Sequence, residues 1–410
     1  MIARASSRPL SRRLAAAAAF ALLAAGLTAT ADDDGVEAPV AAVFPNEVEA
    51  ALVRAITGLS EYGIGHALGE IDHILARAPN FRLGHLIRGD LLMARAGNPV
   101  AFGPLASAAG SAGVAPLQDE ARARLKRFLD APPSGHLPLP VLQLAPSHGH
   151  AILVDTRRSR LFVFANAAGD PKLVTDFYVS VGKNGVEKQR EGDQKTPLGV
   201  YTIVSSKEKL PDFYGPGAFP ISYPNEWDRQ QGKGGYGIWL HGTPSETYSR
   251  PPRATDGCIV LANEDLKRLA KFVDVGRTPV VVSSGVEWAE PARWGGARRE
   301  FLEAFEQWRA DWESLDTDRY LAHYSRQFRS DGKDLAAWAT HKRKVNSGKS
   351  WVKVGVANLS LFGLAEGEET LVVTFEQDYR SSNLANRTLK RQYWTREAGR
   401  WRIRFETVVS

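Results

Sequence analysis

Cys258 is the only cysteine of this 410-residue chain, and His241 stands seventeen residues before it. A thiol attacks as its thiolate, and free cysteine is mostly protonated near neutral pH, so nucleophilic use of Cys258 calls for a base. Histidine is the side chain whose ordinary pKa suits that task. His241 follows the apolar run Ile238–Leu240 and precedes Gly242, which reads as a strand end where the backbone turns away. Cys258 follows Thr255-Asp256-Gly257 and precedes Ile259-Val260-Leu261. Gly257 permits a tight turn, with the amides of Gly257 and Cys258 expected to face a developing oxyanion. A lone cysteine is otherwise a small buried hydrophobe. The preceding glycine and the histidine at a strand end favour the nucleophile.

A third element lies upstream in "EGDQKTPLGVYTI", Glu191 to Ile203. Gly192, Asp193, Thr196, Pro197, Gly199 and Tyr201, then His241-Gly242, then Thr255, Gly257 and Cys258, resemble the motifs of the L,D-transpeptidase catalytic domain family. The resemblance runs from about His150 to Ser284. It implies Cys258 as nucleophile, His241 as base, and Gly242 and Gly257 as the glycines shaping the catalytic loops. The base's second ring nitrogen is expected to be held by a backbone carbonyl, that of Gly242. The implied substrates are peptidoglycan stem peptides, cleaved between diaminopimelate and D-Ala. An acyl-thioester then passes to an amine or to water, with no metal or organic cofactor. The alternative is a non-catalytic peptidoglycan-binding or scaffolding module using the same cleft.

Two departures bear on the cleft. Asp256 stands where the family usually has His, and Val260 where an Arg is frequent. An unpaired Asp256 would raise the thiol pKa by like-charge repulsion. Arg250 and Arg253, on the same loop, are the candidates to neutralise it or to bind substrate carboxylates, for which a guanidinium fork is suited. Arg253, three residues before Asp256, is the favoured partner. Thr255, Asp256, Tyr236 and Trp239 complete the candidate substrate-binding set. His148 and His150 form an H-x-H pair with no third ligand at zinc spacing, so no metal site is expected.

The elements that must position these residues follow from periodicity. From Pro45 to about Ala131 apolar residues recur at helical spacing, with two helices broken at Pro79-Asn80 and the second ending near Gly97. One tetratricopeptide-like unit is visible in this helical accessory domain (32–145), a candidate surface for a homodimer or protein partner. "APPSGHLPLP" reads as a boundary. At His150 the period changes to alternation, with a hairpin turning near Arg157–Ser159 and further strands to Ser283, giving a mostly-β catalytic domain over 150–284. A helical restart at Arg298 and an alternating region from Lys353 to Thr407 predict an α+β C-terminal domain (298–410). That pattern resembles the cone-shaped nuclear transport factor 2-like fold, with aromatics lining the cone and no acid–base pair at convincing spacing. The three-domain order resembles the cell-shape-determining L,D-carboxypeptidases of Gram-negative bacteria.

Residues 1–31 read as a secretory signal peptide, with Arg4, Arg8, Arg12 and Arg13 before an apolar stretch and Ala29-Thr30-Ala31 at cleavage spacing. Ser11-Arg12-Arg13 leaves a twin-arginine reading open. No later apolar run approaches a membrane span, so a periplasmic protein without a transmembrane segment is expected. The leader holds four arginines and no acid, so the net charge of +6 falls to +2 without it, which removes most of the case for nucleic-acid binding. In an oxidising compartment an unpaired cysteine is an intermolecular partner or a reactive thiol.

Overall fold

The computed structural model describes residues 46–97, 114–364 and 369–409. The leader read from residues 1–31 lies outside the described residues. The N-terminal region is helical: Glu47–Thr57, Leu59–Arg77, Arg82–Arg95 and Ala115–Leu129. Asn46 caps the first helix by accepting from Val48 N–H at 3.0 Å, and Glu47 and Glu49 occupy its first turn, complementing the helix dipole. The chain leaves its helical conformation around Pro79-Asn80, where proline disfavours helix at the residue before it. Val48, Leu52, Leu68, Ile71, Ile74, Phe81 and Ile87 form the core of this region, and Tyr248 of the next domain packs against it.

The middle region contains a five-stranded sheet in the order Asp170–Tyr178, Arg160–Ala167, His150–Asp155, Pro279–Ser283, Gly199–Thr202. Neighbours are antiparallel except His150–Asp155 with Pro279–Ser283, which run parallel. A smaller sheet orders Ile259–Val260, Trp239–His241 and Ala218–Pro220. Arg253–Thr255 pairs with Val181–Gly182. These two- and three-residue strands carry the candidate site, and they are too short to show an alternating pattern.

The C-terminal region begins with a helix at Pro291, seven residues before the restart expected at Arg298. Proline suits the first helical position, because its missing N–H would have no intrahelical partner there. This helix, Pro291–Glu313, presents Trp294, Phe301, Phe305, Trp308 and Trp312 to a buried cluster with Phe375, Trp394 and Trp401. The aromatics are therefore core, as expected. The domain also buries an ion pair: Lys390 Nζ lies 3.0 Å from the carboxylate of Glu406, which also accepts from Gln392 at 2.9 Å. Sixteen residues separate this pair in sequence, and strand pairing brings it together.

The sheet of this region has seven strands, and the one beside Val352–Leu364 is Val141–Gln143. That strand lies just past the Pro-rich boundary ending at Pro140, inside the range 32–145 expected to be helical; that bound is corrected, because Val141–Gln143 pairs with Leu361 and Phe362 of the C-terminal sheet. Val141, Phe162, Phe164, Val200, Val281, Phe362, Tyr393 and Phe405 form one buried cluster across the two domains. Trp227 stacks on Tyr393 at 4.7 Å between ring centroids. Burial of such side chains stabilises by about 1.5–3 kcal/mol each, so the two domains share a core.

Candidate active site

His241 ends its strand and is 1% exposed. In the parallel pairing of Trp239–His241 with Ile259–Val260, His241 stands opposite Val260. Cys258 lies two residues before Val260, on the segment that leads into the strand paired with His241. The His241 Nδ1–H donates to Gly242 O at 2.7 Å. The neutral ring then presents Nε2 as an acceptor. Burial lowers the His241 pKa to about 4 against the opposing Gly242 hydrogen bond, with Arg250 adding a smaller push in the same direction. The His241 ring is thus unprotonated at neutral pH.

The Cys258 thiol donates to Gly237 O at 3.3 Å. Burial pushes its pKa up, while the Trp239 amide, Arg250 and Lys188 pull it down and Asp256 raises it. The loop before it is held from within. Thr255 Oγ1 donates to Cys258 O at 2.7 Å and accepts from Gly257 N–H at 3.1 Å. Gly257 has φ +122°, and a Cβ there would stand 2.6 Å from Lys195 O. Thr196 Oγ1 accepts from Gly182 N–H and donates to Gly257 O, both at 2.9 Å. Asp193 fixes the loop below by accepting from Lys188 Nζ at 2.7 Å and from the amides of Gln189, Arg190 and Lys195. Burial raises its pKa, but these bonds together outweigh it and hold the carboxyl well below the usual range.

Comparisons with known proteins bear on the domains that carry this site. Residues 149–282 match the family described as the L,D-transpeptidase catalytic domain. Residues 300–407 match the Cds6 C-terminal NTF2-like domain. This is an L,D-transpeptidase-type domain followed by an NTF2-like domain. Bd1075 of Bdellovibrio bacteriovorus is similar with TM-score 0.59 and 26% identity, over 67% of this chain and 98% of its own. The helical cell shape determining protein Pgp2 from Campylobacter jejuni is similar with TM-score 0.58 and 26% identity, over 66% of this chain and 95% of its own. YafK of Escherichia coli (strain K12) is 31% identical over 86 residues, 21% of this chain and 31% of that protein. The chain therefore matches about a third of the length of this curated relative.

Within the L,D-transpeptidase-type domain the structure moves several expected residues. Gly257 N–H is committed to Thr255, so it is not free for an oxyanion. Cys258 N–H has no hydrogen-bond partner among the described residues. Thr255 is 2% exposed with its hydroxyl used twice, which makes it a loop staple rather than a substrate contact. Asp256 pairs with Lys183 at 3.0 Å and not with Arg253. Arg253 is exposed and lines a groove with Lys126, Arg157 and Arg158. Arg250 is the arginine at the site, its guanidinium 4.9 Å from the Phe213 ring, which lies 5.9 Å from the His241 ring. Trp239 stands 5.0 Å from Tyr214, and Tyr214 is 5.1 Å from His241. Tyr236 is 72% exposed. Gly242 is required by contact: a Cβ would collide with Asn263 Oδ1 and Pro216. Lys183, Lys188, Phe213, Tyr214 and Asn263 were not singled out by sequence, since they lie outside the motif segments, Phe213 and Tyr214 together on the short 3-10 helix Asp212–Tyr214 and Asn263 at a helix start. Groups of three or more His, Cys, Asp or Glu arranged for a metal are absent among the described residues, and no described helix is long and apolar enough to cross a membrane.

Proposed function

We propose that the protein is an exported, periplasmic cysteine enzyme that modifies peptidoglycan stem peptides at the diaminopimelate–D-Ala bond. The observation that carries this reading is the neutral, tautomer-fixed His241 at the end of the strand that pairs with the one Cys258 leads into. His241 Nε2 takes the thiol proton as the sulfur attacks the carbonyl carbon at the L-centre of diaminopimelate. The Cys258 N–H is the donor for the oxyanion. Collapse expels the D-Ala amine, which takes the proton back from His241 and leaves a thioester on Cys258. An amine acceptor then gives a cross-link, or water gives the shortened stem, and the thiol is regenerated. The matched L,D-transpeptidase description supports the reaction class, and the likeness to Pgp2 supports a role in cell shape. Incubating wild type with tetrapeptide muropeptides should give tripeptides or cross-linked dimers by mass spectrometry; unchanged substrate would overturn the reading.

A second reading, a wall-binding module without turnover, is favoured by the thiol's hydrogen bond to Gly237 and its burial-raised pKa. It predicts muropeptide binding without products and no covalent adduct on Cys258.

A further inference from the structure

The loop between the two site strands is gripped from outside its own domain. Tyr248 packs on Phe81 of the helical domain at 4.8 Å between ring centroids, and its hydroxyl accepts from Asn46 Nδ2 at 2.9 Å. Ser249 Oγ donates to Glu120 at 2.5 Å. The carbonyl of Arg250 accepts from Tyr178 O–H at 2.9 Å. The Tyr178 ring lies 4.0 Å beneath the guanidinium of Arg124, which is itself bonded to Glu49 and Glu120 of the helical domain. Arg124, Glu49 and Glu120 are each no more than 2% exposed. Three successive residues, Tyr248, Ser249 and Arg250, are therefore fixed by groups on the helical domain or braced by it. The third of them carries a guanidinium that packs on Phe213, the ring beside His241.

An arginine on an unsupported loop has many rotamers and many backbone states, and ordering them is costly. The buried network removes that freedom before substrate arrives. A buried ion cluster is a poor source of net stability, yet it fixes one geometry, because any displacement leaves a charge unpaired. We propose that the helical domain is a positioning device for the cleft: through Ser249 and Tyr178 it holds Arg250 beside His241 and Cys258. There Arg250 supports the thiolate and meets a carboxylate of the stem peptide. This deepens the reading of Cys258 as a nucleophile and rests on it. Ser249 and Tyr178 are positioning residues, and Arg250 is the group that touches substrate.

The test uses the full-length protein and two readouts, one of them independent of turnover. Iodoacetamide alkylation of Cys258 is followed against pH, with Arg250, Lys188, Asp256 and His241 as the charged or titratable groups facing the thiol. Arg250→Ala should raise the thiol's apparent pKa, slowing alkylation at neutral pH by about ten-fold for each unit of rise. Ser249→Ala and Tyr178→Phe should move the profile in the same direction by a smaller amount. Either one combined with Arg250→Ala should add nothing further, and Ser249→Thr, which keeps the hydroxyl, should restore the wild-type profile. On stem tetrapeptide the same variants should raise KM more than they lower kcat. Unchanged alkylation in Ser249→Ala and Tyr178→Phe, or additivity with Arg250→Ala, overturns the positioning role even if the enzyme turns over substrate. Conversely, coupled alkylation in a protein that never turns over leaves the positioning intact and refutes only the enzymatic reading. Simple unfolding is separable by direction, since a released thiol reacts faster.

Discussion

His241 gives its Nδ1 hydrogen to the carbonyl oxygen of its own neighbour, Gly242, across 2.7 Å. One ring nitrogen is thereby fixed as donor and the other left as acceptor, without a carboxylate to stabilise an imidazolium. With a pKa lowered to about 4 by burial, the ring should stay neutral in an NMR titration well below pH 6. The unfolded chain protonates near 6.5, so its histidine takes up a proton first as pH falls. This group's contribution to stability is therefore complete above pH 6.5 and is lost progressively towards pH 4, at most about 3 kcal/mol. His148, also lowered to about 4 by burial, adds with the same sign. Thermal midpoints of His241→Gln should fall less steeply than wild type across this window; identical slopes would contradict the buried neutral ring.

Cys258→Ala should abolish product formation from tetrapeptide stems while leaving the thermal midpoint within a few degrees of wild type. His241→Ala should lose nearly as much, because nucleophile and base act as a unit and their losses do not add. Residual turnover in Cys258→Ala would place the chemistry elsewhere.

The thiol loop should tolerate little change. Gly257→Ala forces a side chain onto φ +122° and towards Lys195 O, a strain of about 1–3 kcal/mol or more. Thr255→Val removes two internal hydrogen bonds and leaves a buried donor and acceptor unmatched, at about 1–3 kcal/mol each. Thr255→Ser, which keeps both bonds, should stay close to wild type in denaturant titration. Equal loss in Ser and Val variants would show that the methyl group, not the hydroxyl, matters.

Arg253→Ala should behave like a surface substitution. Its thiol alkylation rate should stay within about two-fold of wild type, as expected for changes below about 0.5 kcal/mol. Lys183→Ala is the informative neighbour. Asp256 then loses its ion pair at 3.0 Å, and its charge should slow alkylation slightly. The pair is exposed, so its stabilising contribution should be below about 1 kcal/mol and decline with salt.

A chain ending near Ser284 should not be a soluble minimal enzyme. It would lose Phe362, Val372, Tyr393 and Phe405 from a cluster shared with Val141, Phe162, Phe164 and Val200, and would uncover Trp227. Soluble yield and thermal midpoint test this, and a well-folded, active fragment would refute the shared core. Trp227→Ala in the full chain should cost up to about 3–5 kcal/mol, the range for large aromatic truncations in cores.

Much of this was readable in the sequence where the signal is local. The helix break at Pro79-Asn80, the hairpin at Arg157–Ser159, and the glycines beside His241 and Cys258 need only neighbouring residues to be understood. What sequence hid is what distant contacts decide. Arg250 and Arg253 look equivalent on one loop, and the choice between them is made by Tyr178, Glu120 and Phe213, far away in the chain. Phe213 and Tyr214 sit on a single 3-10 turn between Pro211 and Gly215, too short to show a periodicity that would mark them. The strand Val141–Gln143 is three residues long, too short to show alternation, and it takes its identity from a partner at Leu361 and Phe362.

That short strand changes what counts as a module here. The segments matching the two families begin at residues 149 and 300, so Val141–Gln143 belongs to neither, although it covers one edge of the C-terminal sheet. Cutting the gene at the family boundaries would leave that edge bare at Leu361 and Phe362, a template for pairing with other chains. Recombination or domain grafting that keeps the sheet closed must therefore carry along eight residues that precede the catalytic domain. The heritable unit is an interleaved pair of domains, and shuffling one without the other's leading strand yields an aggregation-prone product.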